Sequence, residues 1–128
     1  MTSLLVPDAT RSVLTMTRSR EPHPVLVVAL YGQLDLETSP AFAGYVDDSL
    51  AARPMTTTLI LDLTELGFLS THGLHALAEA CTHHERHGIS VAVVAGGTLA
   101  RALEPAGTVP RHFPTRREAI TALDRSQL

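Results

Sequence analysis

The residues best suited to chemistry gather in the run Leu66-Gly-Phe-Leu-Ser-Thr-His-Gly73. Two hydroxyl residues, Ser70 and Thr71, stand where an apolar stretch gives way to a helical period. A strand end that feeds a helix N-terminus collects free backbone N–H groups and the positive end of the helix dipole. Such junctions are where α/β sheets place ligand and recognition sites. The plainer role for Ser70 or Thr71 is that of an N-cap, a hydroxyl satisfying orphan donors. A second constellation is the histidines. His72, His75, Glu79 and His83 share one helix face, and His83 and His87 stand four apart, a spacing that can hold zinc. However, His84-Glu-Arg-His87 is one residue short of the His-Glu-x-x-His pattern. The opposite face carries Leu74, Leu77, Ala78 and Cys81, so the histidine row reads as a solvated face, and no metal or cofactor is expected. A small metal-dependent hydrolase built on His72, His75, Glu79 and His83 is the remote alternative.

Other reactive groups read more simply. Asp35 stands in a turn near the same sheet end as Thr71, where a carboxylate can bond nearby backbone. Asp62 interrupts an apolar strand as a strand-end polar residue or a packed contact, without a catalytic role. Cys81 reads as a small buried hydrophobe. All ten basic residues are Arg, which excludes a P-loop and lysine-based catalysis. Arg111, Arg116 and Arg117 near Phe113 read as a solvated loop before an anion patch.

These residues need elements to hold them. Ser12 to Arg18 alternates like a half-buried strand, and the prolines within Ser19 to Pro24 break it. Val25 to Tyr31 is a continuous apolar run, the pattern of a strand covered on both faces, and Gly32 ends it. Ser39-Pro40 reads as an N-cap with Pro at N1, opening a helix with Phe42, Tyr45, Val46, Ser49 and Leu50 on its core face. Thr57 to Leu63 is a third strand. A second helix runs from about Thr71 to His87 and stops at Gly88, a C′ glycine. Ile89 to Val94 is a fourth strand, Thr98 caps a short helix through Leu103, and Val109 to Phe113 is a short fifth strand. Thr115-Arg-Arg-Glu118 is a capping box for a last helix with Ala119, Ile120 and Leu123 inward. Strands alternating with crossover helices predict an α/β fold, a largely parallel sheet with an antiparallel N-terminal edge strand. Residues 1–11 are expected to be a flexible tail and residues 12–124 one domain.

The 128 residues carry a net charge of −3, with 45% hydrophobic and 18% charged residues. That is a globular composition, long enough for a core without a metal or disulfide staple. It lacks the basic excess of a nucleic-acid binder. The one cysteine excludes an internal disulfide and fits a reducing compartment. The N-terminus lacks the pattern of a signal peptide, and no apolar run is long enough to span a bilayer.

The stretch Leu59-Ile-Leu-Asp-Leu-Thr-Glu-Leu-Gly-Phe-Leu-Ser-Thr-His-Gly-Leu74 resembles the signature of the STAS domain, a family that includes the bacterial anti-sigma-factor antagonists. Gly32-Gln-Leu-Asp35 resembles that family's upstream Gly-x-Leu-Asp element, and the spacing between the two fits. The resemblance implies a non-enzymatic, cytoplasmic module with the STAS fold. It implies a kinase-like anti-sigma factor as partner, a phosphatase that resets the switch, no direct contact with nucleic acid or membrane, and a monomer or weak dimer. The phospho-acceptor position falls on Thr71, with Ser70 the second choice. The implied partner surface is Asp35, Ser70, Thr71, His72, Gly73 and His75. Two departures stand out: Ser70 replaces the family's Asp, and His72 replaces its second hydroxyl residue. A divergent STAS scaffold that is never phosphorylated is therefore the alternative function.

Overall fold

The computed structural model describes residues 13–21, 24–104 and 111–126. The expected tail, residues 1–11, lies outside them. Nine elements follow in the order β1 (Leu14–Glu21), β2 (Val25–Leu34), α1 (Ser39–Ala51), β3 (Thr58–Leu69), α2 (Thr71–Arg86), β4 (Ser90–Val94), α3 (Gly97–Leu103), β5 (His112–Phe113) and α4 (Arg116–Ser126). The five strands form one sheet in chain order. β1 pairs antiparallel with β2, and the remaining neighbours are parallel. This is the expected α/β architecture, with the antiparallel strand on the edge.

Both sheet faces are covered, as the apolar runs of β2, β3 and β4 require. On one face Leu26, Val28, Leu30, Leu59, Leu61 and Val93 pack with Phe42 and Val46 of α1, Leu77 and Cys81 of α2, and Leu103 of α3. On the other, Val27, Ile60, Ala92 and Val94 pack with Ala119 and Leu123 of α4. Strand residues alternate between the two cores, which is the pleat period. Burial of the Cys81 thiol pushes its pKa up to about 12, so it stays protonated and packs as a hydrophobe.

Several boundaries differ from the sequence reading. β1 runs on to Glu21, past the expected break at Ser19, because each of its residues from Leu14 to Glu21 has a partner on β2. β2 does not end at Gly32. That glycine adopts φ +104°, and a Cβ there would lie 2.3 Å from the Val13 carbonyl oxygen; with no side chain it bends inside the strand, which continues to Leu34. β3 runs six residues past Leu63, to Leu69. The caps shift as well. Thr38, not Ser39, is the N-cap of α1, which places Ser39 at N1 and Pro40 at N2. Gly96 takes the N-cap of α3 in place of Thr98. Residues 109 and 110 of the expected fifth strand lie outside the described residues, and β5 is His112–Phe113.

Candidate functional site

The site is the end of the sheet where β2 and β3 run out together. Leu34 and Leu69, their last residues, are paired. Ser70 then donates its backbone N–H to the Leu34 carbonyl at 3.0 Å. Asp35 and Ser70 thus leave the sheet side by side and open toward α1 and α2.

Ser70 is the N-cap of α2. It is extended, and its Oγ accepts from the Gly73 N–H at 3.0 Å. The first full turn closes as the Leu74 N–H donates to the Ser70 carbonyl at 2.8 Å. This turn lies against β2: a Cβ on Gly73 would fall 2.1 Å from the Leu34 carbonyl oxygen. Only glycine allows so close an approach. Gly73 is buried there and packs the first turn of α2 on β2. Thr71 is the first helical residue, and its side chain is exposed and makes no hydrogen bond among the described residues. The two hydroxyls have thus separated: Ser70 caps the helix, and Thr71 faces solvent. His72 and His75 are also exposed on this first part of α2.

Asp35 sits in the turn before α1, half-buried. Its Oδ1 accepts from the backbone N–H groups of Glu37 (3.0 Å) and Thr38 (3.1 Å). The Thr38 hydroxyl accepts from the Asp35 N–H at 3.0 Å and lies 3.0 Å from the Gln33 carbonyl. The Ser39 hydroxyl donates to the Asp35 carbonyl. One carboxylate oxygen therefore serves the turn in the way the sequence allowed, holding the strap from Gln33 to Ser39 beside the α2 N-terminus.

The sequence reading missed the apolar side chains around this edge. Leu36 is 66% exposed and Phe68 51%. Leu36 projects from the Asp35 turn, and Phe68 sits on β3 opposite Gln33. Tyr31 on β2 and Val13, just before β1, are also exposed. Exposed apolar side chains bordered by polar groups are the composition of protein-binding surfaces. Leu36 did carry a signal, an aliphatic residue between two acids outside any helical or strand period.

Asp62 lies deeper in β3 and is buried. Its Oδ1 accepts from the Thr64 N–H (2.9 Å) and hydroxyl (2.8 Å), and its Oδ2 receives the Arg116 guanidinium. Burial alone would raise its carboxyl pKa; the Thr64 backbone bond, then Arg116 and the Thr64 hydroxyl, outweigh it and hold the group below the usual carboxylate range. The packed-contact reading of Asp62 therefore holds. It also alters the reading of the arginine loop, because Arg116 pairs with Asp62 and Arg111 with Glu85 at 3.5 Å.

The histidine row does not converge. His72, His75, Glu79 and His83 are all exposed along α2. His84 behaves differently. It is buried against α1 with its Nε2 3.3 Å from Asp47 Oδ1. Burial and the neighbouring His83 and His87 push its pKa down, against the pull of Asp47.

Residues 16–119 match the model of the STAS domain. The fold is similar to an anti-sigma factor antagonist from Mycobacterium paratuberculosis, at 28% identity over 88% of this chain and 95% of the other, with a TM-score of 0.73. It is also similar to the phosphorylated form of the Bacillus cell fate determinant SpoIIAA, at 17% identity over 85% and 99% of the two chains, with a TM-score of 0.64. A third similarity, to the murine anion transporter Slc26a9, has 16% identity and a TM-score of 0.72 and covers 96% of this chain but 24% of the transporter. No curated protein matches the sequence closely enough to count as a relative. Among the described residues no helix is long and apolar enough to cross a membrane. The match spans the sheet, the Asp35 turn and the Ser70–Gly73 junction alike, and the chain belongs to the STAS domain family.

Proposed function

We propose that this chain is a cytoplasmic anti-sigma-factor antagonist, not itself an enzyme, whose association with a kinase-like anti-sigma factor is switched by phosphorylation of Thr71. The observation that carries this reading is the division of labour between the two hydroxyls. Ser70 is engaged with the Gly73 N–H, so modifying it would cost the helix its cap. Thr71 is exposed at the first helical position and has no such duty. Two proteins of similar fold, the mycobacterial anti-sigma factor antagonist and the phosphorylated SpoIIAA, support the same class of function.

The physics of the switch follows from position. A phosphate brings about −1.5 to −2 charge at neutral pH. At a helix N-terminus the dipole and the amide donors of the first turn favour that charge, so the fold tolerates it. A partner seated on Leu36, Phe68 and Thr71 would instead meet a hydrated dianion next to its apolar contacts. Asp35, His72 and His75 border that surface and would set its polar rim. Binding then weakens while the antagonist stays folded, and a phosphatase restores it.

The test is phosphosite mapping by mass spectrometry on protein isolated from its own cells, together with affinity for the kinase-like protein that co-purifies. Phosphate on Thr71, lost in Thr71→Ala, and release of the partner by Thr71→Glu are the expected results. Phosphate on Ser70 would move the site by one residue. A stable partner with no phosphate under any growth condition would replace the switch with a constitutive scaffold.

A further inference from the structure

α1 and α2 leave an open groove of about 760 Å³ between them, with Leu36 in its lining. Asp47 of α1 and His83 and His84 of α2 all line it, and one donor atom from each lies within 4.8 Å of the others. We infer that these three side chains form a binding site for a zinc-class divalent transition ion that clips α1 to α2.

Three observations carry the inference. The donor set is two imidazoles and a carboxylate, which suits zinc and its neighbours and does not suit magnesium or calcium. The Asp47–His84 separation of 3.3 Å is long for a charge-assisted hydrogen bond. It equals the spacing of about 3.3 Å that two donors adopt around a tetrahedral ion with bonds of about 2.0–2.1 Å. Finally, the site joins one buried donor to two exposed ones. His84 is buried, whereas Asp47 and His83 are exposed, and the His83 ring lies with its centroid 4.8 Å from that of His84 and 4.6 Å from that of His87. The three donor atoms already lie within 4.8 Å of one another, and a bound ion would draw them together. Three protein ligands leave at least one coordination position open to the groove, for water or an anionic group.

This site is distinct from the histidine row along the exposed face of α2. Sequence spacing grouped His83 with His72, His75 and Glu79, and it could not show Asp47 approaching from another helix. It also differs from a simple His83–His87 clamp at i, i+4. The His87 Nδ1 lies 2.8 Å from the His83 carbonyl, and its ring does not join the three converging donors.

The test is zinc binding to the full, untagged chain, followed by calorimetry and by the cobalt spectrum of the substituted protein. Wild type is expected to bind one zinc per chain, to show the intense visible bands of tetrahedral cobalt, and to unfold at a higher temperature with zinc present. Asp47→Asn and His83→Gln, both at exposed positions, should each weaken zinc at least about tenfold and abolish the thermal shift. His75→Gln should change neither. Zinc affinity unchanged in Asp47→Asn would overturn the site and point to the histidines of α2 alone. No binding to wild type at a hundredfold excess of zinc would overturn it outright.

Discussion

One strand, β3, carries two polar stations that use similar side chains in opposite ways. In its middle, Asp62 is buried, both carboxylate oxygens are engaged, and Arg116 closes it from α4. Just past its end, Ser70 is half-buried with its hydroxyl engaged, and Thr71 is exposed with its hydroxyl unengaged. The difference comes from what covers each station. β4 pairs with β3 only as far as Asp62, opposite Val94. Beyond that point β3 has β2 alone beside it, and the helix α2 begins in the open. A buried polar group must be satisfied internally, so the middle station is spent on structure. The end station faces water and remains available for a partner or a modifying enzyme.

The largest expected effect tests how rigidly the end station is built. Its side chains are available, but its backbone is tightly packed. Gly73→Ala drives a Cβ into the Leu34 carbonyl and cannot be relieved by a rotamer change, because the obstacle is backbone. A loss of about 3 kcal/mol or more in denaturant unfolding is expected. A loss below about 1 kcal/mol would mean that the first turn of α2 can lift off β2 without penalty.

The middle station should respond to removal of its carboxylate and to pH. Asp62→Ala leaves the Thr64 N–H and Arg116 without their acceptor. Because Arg116 is 40% exposed and can turn to solvent, the expected cost is about 2 kcal/mol and not the full penalty of a sealed ion pair. The pH dependence has a definite sign. The folded-state pKa of Asp62 is depressed, so its contribution is complete above the unfolded value of about 3.9 and is lost as pH falls through the lower folded value. Acid unfolding curves of wild type and Asp62→Asn should therefore converge at low pH. Parallel curves down to acid would assign the stabilisation to something other than the charge.

This same region explains what the sequence concealed. The succession of elements, the antiparallel edge, the core faces of the helices and the α2 junction were all legible, because each rests on a repeating apolar period, a short connection or a cap residue. The second half of β3 was not. From Asp62 to Leu69 that strand spends seven steps against five on β2, from Ala29 to Leu34, so it bulges twice. Each bulge breaks the two-residue alternation. Thr64 and Glu65 are both exposed, as are Gly67 and Phe68, and such a pattern reads as a loop. The Asp62 carboxylate, by accepting from the Thr64 N–H, stabilises the first bulge. Phe68 lies past the second bulge and is exposed, so this apolar side chain was hidden for the same reason as the strand. The Asp62–Arg116 pair is 54 residues apart in the chain, and no local pattern announces it.

The cap of the end station should matter less than either packing or the buried carboxylate. Ser70→Ala removes the acceptor for the Gly73 N–H, and a loss of about 1 kcal/mol is expected. Ser70→Asp retains an acceptor in the residue type found at this position in the family pattern, and should hold or slightly raise stability through the helix dipole. Equal stability of the alanine and wild-type proteins would mean that water caps the turn as well as the hydroxyl does.

Thr71 should give the smallest stability change of all, and that smallness is the informative result. Its side chain is exposed and makes no bond that the fold would miss. Thr71→Ala and Thr71→Glu are each expected within about 0.5 kcal/mol of wild type, the glutamate on the stabilising side because its charge sits at the N-terminus of α2. Paired with a large change in partner affinity for Thr71→Glu, this would separate association from folding at a single atom position. A glutamate protein that unfolds early would instead couple the two, and the loss of binding would then follow from loss of the surface. The contrast with Asp62 sharpens the point. A negative charge is required in the middle of β3 because Arg116 and Thr64 are arranged around it, and it is merely tolerated two residues past the strand's end, where it is free to act on whatever binds there.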